Sequence, residues 1–232
     1  MKPQLLLPML FVAGAMGASA LSCGTVASPG ACVLNAGGQV QYTFSNFALA
    51  ANSATGTQLV TGADIALNLT AGPGLGAVLS MTKIATAANP NVVFLANAGN
   101  TNSFSFTYNV AIAPLTPGSV QFIDPAEVML NTSSFSGNGN AAVQFVIPGA
   151  PVCLAFSTST ADSCNLPAGV TTSLPGLGNI VSISGNAGNA SIGTFSNRLN
   201  ASYSAAPTGV PEPATYALFA AGLAVIYRLR RR

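Results

Sequence analysis

Ser103-Phe104-Ser105-Phe106-Thr107-Tyr108-Asn109-Val110-Ala111-Ile112 alternates polar or small residues with large apolar ones along its whole length. In an extended chain successive side chains point to opposite faces. This pattern therefore sets Phe104, Phe106, Tyr108, Val110 and Ile112 on one side and Ser103, Ser105, Thr107 and Asn109 on the other. The stretch reads as a half-buried β-strand whose aromatic side belongs to a core, not to a ligand platform.

The same period recurs at residues 39–45 and 64–70. Further candidates lie at 77–85, 91–96, 119–123, 141–147, 152–157, 179–184, 190–195 and 199–204, separated by turn clusters such as Gly137-Asn138-Gly139. Gly72-Pro73-Gly74-Leu75-Gly76 is also read as a turn, because no phosphate-binding lysine and serine follow it. About ten short strands with no long helical pattern predict an all-β fold, an antiparallel β-sandwich over residues 21–206. A jelly-roll arrangement is compatible with this pattern, but the strand order is not legible in the sequence.

One segment departs from the pattern. In Asp124-Pro125-Ala126-Glu127-Val128-Met129-Leu130, an N-cap aspartate, a proline at the first helical position and a glutamate three residues after the cap predict a short helical turn. The competing reading pairs Asp124 and Glu127 as carboxylates for acid–base work or a calcium ion.

Charge is scarce. Residues 21–206 hold Lys83 and Arg198 against Asp64, Asp124, Glu127 and Asp162, so the formal +2 of the whole chain comes from its two ends. Without a basic patch there is nothing to displace counterions from phosphate, and no nucleic-acid partner is expected. The chain has no histidine, which excludes Ser-His-Asp and Cys-His chemistry and histidine-based metal sites. No Gly-x-Ser-x-Gly elbow is present either. No catalytic residue, cofactor or metal site is therefore assigned, and a non-enzymatic role is expected. The remaining enzymatic alternative is a carboxylate-dependent glycoside hydrolase using Asp64 with Asp124, Glu127 or Asp162. The remaining binding alternative is a carbohydrate-binding module, with Tyr42, Tyr108 and Tyr203 as the tyrosines of the domain.

The four cysteines fall into two local pairs at opposite ends of the domain sequence. In an oxidising compartment the simplest of their three connectivities is Cys23–Cys32 with Cys153–Cys164. Zinc is the competitor, disfavoured by the missing histidines and the lack of Cys-x-x-Cys spacing.

Both ends of the chain read as addresses. Lys2, an apolar run over residues 5–12 and Ala18-Ser19-Ala20 form a secretory signal peptide over residues 1–20, with signal peptidase cutting after Ala20 and the mature chain starting at Leu21. Lipidation of Cys23 is an alternative, weakened by Ala20 standing where a lipobox has leucine. At the other end, Pro211 and Pro213 flank Glu212 and hold it in an extended segment with no helix or central strand to join. An apolar stretch, Tyr216 to Tyr227, follows, and then Arg228, Arg230, Arg231 and Arg232. As a helix rising about 1.5 Å per residue, the segment from Ala214 to Leu229 reaches roughly 24 Å, a little short of the roughly 30 Å hydrocarbon core, and the arginines mark its cytoplasmic end, their stems extending its reach.

Val-Pro-Glu-Pro-Ala-Thr, a short apolar helix and a closing arginine cluster resemble the PEP-CTERM sorting signal of Gram-negative bacteria. The resemblance covers residues 210 to 232, within a tail of 207–232, and extends no further. It implies a single transmembrane helix that anchors the chain transiently in the inner membrane. It also implies Pro211, Glu212 and Pro213 as the element recognised by exosortase, an integral membrane transpeptidase, and the four arginines as the stop-transfer end. The implied destination is the cell surface or extracellular matrix. The low charge adds an expectation of its own. Sheet edges with so few lysines invite strand-to-strand self-association, so a structural or adhesive role in an exopolysaccharide or biofilm layer is expected.

Overall fold

The computed structural model describes residues 20–56, 59–84, 94–169 and 171–207, together with Tyr227, Arg228 and Arg230. Among the described residues, strands pair into two antiparallel sheets that pack face to face. The first sheet runs β1 (Leu21–Thr25), β4 (Ile65–Ala71), β5 (Ala77–Lys83), β13 (Gly188–Ala205), β8 (Gly118–Gly137) and β11 (Ala161–Cys164), with β6 (Phe94–Ala96) also pairing β13. The second runs β10 (Cys153–Phe156), β9 (Asn140–Val146), β12 (Ser173–Ser184), β7 (Thr101–Pro114), β3 (Val40–Thr55) and β2 (Cys32–Ala36). From β5 onward, β5-β13-β8-β11 faces β7-β12-β9-β10, the strand order of a jelly roll, with first and last strands as neighbours. The strands β1 to β4 widen both sheets on the same side.

The alternation in β7 is realised as read. Phe104, Phe106, Tyr108, Val110 and Ile112 are all buried; Phe104 meets Phe94 and Phe195 from the facing sheet, and Phe106 meets Phe195. Tyr42 on β3 meets Phe122 on β8 across the same interface, with ring centroids 6.2 Å apart. Each such side chain contributes about 1.5–3 kcal/mol by leaving water, so this aromatic layer dominates the cohesion between the sheets. The glycine-rich stretch at 72–76 is a tight turn between β4 and β5, closed by Gly72 N–H donating to the Gly76 carbonyl at 2.9 Å. The Tyr42 hydroxyl donates to the Leu75 carbonyl at 2.7 Å and fixes the turn to the second sheet.

Two expectations are corrected. The predicted helical turn at residues 124–130 is absent, since the segment lies inside β8. There Glu127, Val128 and Met129 pair with Arg198, Asn197 and Ser196 of β13 on one side, and with Ser163, Asp162 and Ala161 of β11 on the other. Two flanking ladders satisfy the backbone groups that a single helical turn would leave open, so the tertiary pairing overrides the local cap signal. The strands are also not uniformly short. Residues 190–195 and 199–204 merge into one strand, β13, which runs through Ser196-Asn197-Arg198 and shifts register three times against β8. The cysteine-bearing strands β1, β2 and β11 had no period-two signal and were not expected, because each is only four or five residues long.

Residues 1–19 of the expected signal peptide, the motif Pro211-Glu212-Pro213 and most of the apolar stretch lie outside the described residues. Among the described residues no helix is long and apolar enough to cross a membrane.

Candidate functional site

The four acidic residues of the domain do not form a pair over a common cleft; the fold engages each in its own local task. Asp64, fully buried at the end of the 3-10 turn Gly62–Asp64, accepts from the Thr61 N–H at 2.8 Å and the Thr61 hydroxyl at 2.6 Å. Asp124 accepts the Leu166 N–H at 2.6 Å, holding the segment that leaves β11. Glu127 is ion-paired with Arg198, its cross-strand neighbour on β13. Asp162 accepts from Leu154 N–H and Ser163 N–H, both at 2.8 Å. Asp124 and Glu127, candidates for paired carboxylates, thus turn to different partners, a backbone amide and a guanidinium.

Two shallow grooves, of about 290 and 310 Å³, lie on the second sheet and share Ser103. Their lining is Ser, Thr, Asn, Ala, Phe and Ile, with no ionisable side chain. Among the described residues no group of three or more His, Cys, Asp or Glu is arranged to hold a metal ion. Of the domain tyrosines, Tyr42 and Tyr108 are fully buried, and the Tyr203 hydroxyl donates to the Pro117 carbonyl at 2.8 Å and accepts from the Thr116 hydroxyl at 2.8 Å. Tyr42 and Tyr108 therefore present no face to a sugar ring.

The least expected polar feature is internal. Asn197 Nδ2 donates to the Tyr108 hydroxyl at 2.6 Å across the gap between the sheets, and both residues are buried. Burial pushes the Tyr108 phenol well above the usual tyrosine value, opposed in part by the amides of Asn197 and Asn179. Burial alone raises Tyr42 likewise. In the sequence, Asn197 falls in the apparent gap between two strand candidates, so no periodicity marks it as inward-facing.

The cysteines pair as expected, Cys23 with Cys32 and Cys153 with Cys164, and no free cysteine remains. A disulfide at Cys23 removes the thiol that lipidation would need. Ala20 is exposed and immediately precedes β1, whereas Ala18 lies outside the described residues. In the tail, Tyr227, Arg228 and Arg230 are helical and exposed; Arg231 and Arg232 lie outside the described residues.

Comparison with known proteins locates one functional segment. The family model for the PEP-CTERM protein-sorting motif matches residues 209–232. The motif implies export and membrane-associated sorting to the cell surface, with exosortase as the processing partner. No curated protein and no solved structure matches the chain.

Proposed function

With a sorting motif at residues 209–232 as premise, we propose that the chain is an exported, non-enzymatic surface or matrix protein. Its sandwich domain has a structural or adhesive role in an exopolysaccharide or biofilm layer. Pro211-Glu212-Pro213 is the recognised element, the apolar stretch is a transient inner-membrane anchor, and Arg228, Arg230, Arg231 and Arg232 hold its cytoplasmic end. Signal peptidase removes residues 1–20 after Ala18-Ser19-Ala20.

The sorting motif carries this reading, and the domain supports it in two ways. Both disulfides suit an oxidising destination. All four acids of the domain serve as structural acceptors, which leaves them engaged before any substrate arrives.

Mass spectrometry of the surface-exposed protein tests the sorting step. The expected mature form lacks the arginine cluster, and alanine at Pro211, Glu212 and Pro213 leaves that cluster attached and the protein held at the membrane. An intact Arg232 on the surface form would overturn the proposal. The structural role is tested separately, by the retention of an exopolysaccharide layer in cells lacking the protein; an unchanged layer would remove that part.

A further inference from the structure

Among the described residues β1 and β11 end the main path of the first sheet and β10 and β2 end the second, while β6 stands off that path beside β13; an end strand offers unpaired backbone donors and acceptors to any passing strand. Three of these four end strands carry a device that blunts them. On one side of the sandwich, Asp162 places a carboxylate on β11 and uses it to hold the Leu154 N–H of β10, so a single charge serves two edges. On the other side, β1 breaks register between Ser22 and Thr25, where Gly24 takes a φ of 81° that a side chain would strain. Its loop folds back onto it, with Gly30 N–H donating to the Cys23 carbonyl at 2.7 Å.

The fourth edge has no such device. The strand β2 pairs with β3 in unbroken register from Cys32 opposite Phe44 to Ala36 opposite Val40. Neither strand carries a Lys, Arg, Asp or Glu, and neither carries a proline. Val33 and Asn35 are exposed, Val33 at 38%. Among the described residues no hydrogen bond beyond the β3 ladder reaches the backbone of Val33, Leu34 or Asn35. The Asn35 side chain turns sideways to accept from Gln41 at 3.1 Å and leaves the backbone edge open.

We propose that β2 is a pairing edge for a second copy of this chain, two β2 strands adding antiparallel about a two-fold axis at Leu34 to make one continuous sheet. The five-residue strand is self-complementary in this register. Leu34 lies opposite its own copy, Val33 opposite Asn35 and Cys32 opposite Ala36, so no like charges meet. Alternation directs Cys32, Leu34 and Ala36 inward and Val33 and Asn35 outward, so the joined strands keep one apolar and one exposed face. A second copy needs no partner of other composition, and the isologous contact closes at two subunits instead of growing into a filament. With only five residues per strand the pair is weak in dilute solution and gains strength where copies are crowded. That last point rests on the proposed surface location; the pairing itself does not.

The test is sedimentation of the full chain in detergent over a wide concentration range, alongside Val33→Lys on the open edge and Ser182→Lys on the exposed face of the same sheet. The expected result is a concentration-dependent dimer that Val33→Lys weakens about tenfold or more and Ser182→Lys leaves intact. Slower amide exchange in β2 at higher concentration is expected alongside it. Val33→Lys should keep the thermal midpoint of the parent, since it sits on an exposed site. A chain that stays monomeric throughout, a dimer indifferent to Val33→Lys, or one equally sensitive to Ser182→Lys would each overturn the proposal. C-terminal mapping of the exported form is independent of all three outcomes, so failure here leaves the sorting reading standing.

Discussion

Cys153 stands on the last strand of one sheet and Cys164 on the last strand of the other, and the bond between them ties β10 to β11 along one open side of the sandwich. Cys23 and Cys32 tie β1 to β2 along the opposite side. A jelly roll is cohesive at its centre, where rings interleave, and weakest at its seams, where each sheet ends. Removing either bridge by a paired Cys→Ala change should lower unfolding free energy by about 2–3 kcal/mol, as expected for closed loops of this length. Urea titration of the oxidised and doubly substituted forms measures it. An unchanged midpoint would mean that the core alone holds the seams.

The Glu127–Arg198 pair joins directly opposed positions on β8 and β13, with side chains only 19% and 25% exposed. Removing one partner leaves a poorly hydrated charge facing nothing, so Glu127→Gln or Arg198→Met alone should each cost about 1–3 kcal/mol. The double change should cost less than the sum of the two, with a coupling of about 1 kcal/mol in a double-mutant cycle. Additive losses would show that the two charges do not stabilise each other.

Asn197 and Asn102 are both buried asparagines, yet they should respond oppositely to leucine. Asn197 Nδ2 donates to the Tyr108 hydroxyl oxygen, so Asn197→Leu leaves that buried oxygen without its donor and should cost about 1–3 kcal/mol. Among the described residues neither polar atom of the Asn102 side chain has a hydrogen-bond partner. Asn102→Leu should therefore be neutral or stabilising by about 1 kcal/mol, because it removes buried polar atoms that nothing satisfies. Thermal unfolding of the two variants decides the point, and equal losses would contradict it.

Alkaline pH should unfold the domain through its two buried phenols. Burial holds Tyr42 and Tyr108 above the ordinary tyrosine value of about 10. Below that pH both phenols are protonated in folded and unfolded chains alike, and they add no pH dependence. Above it the unfolded chain releases protons that the folded chain retains, so stability falls as pH rises. The slope approaches about 1.4 kcal/mol per pH unit for each tyrosine. Phenolate absorbance should show these two rings ionising only as the domain unfolds; ionisation in the intact fold would refute the assignment.

The core strand was readable because period two is a local property. Every second residue from Phe104 to Ile112 is apolar, and each of them is buried. The cysteine pairing was readable because short loops close most easily, and the tail because a sorting signal works as linear sequence on a presented segment. The cap signal at Asp124 misled for the opposite reason. A helical start is favoured by a handful of local bonds, whereas β8 gains ladders on both sides from β11 and β13, strands that lie far away in the chain.

The sequence by itself determined the fold class, the disulfide partners and the sorting motif at residues 209–232, because alternation, loop closure and linear recognition act over short stretches of chain. Only the tertiary structure decided the jelly-roll order, the place of each disulfide at a seam, the inward turn of Asn197 toward Tyr108 and the open edge at β2. Those depend on which distant strands become neighbours, and hydrogen-bond ladders and ring contacts settle that choice collectively, across separations that no local pattern records.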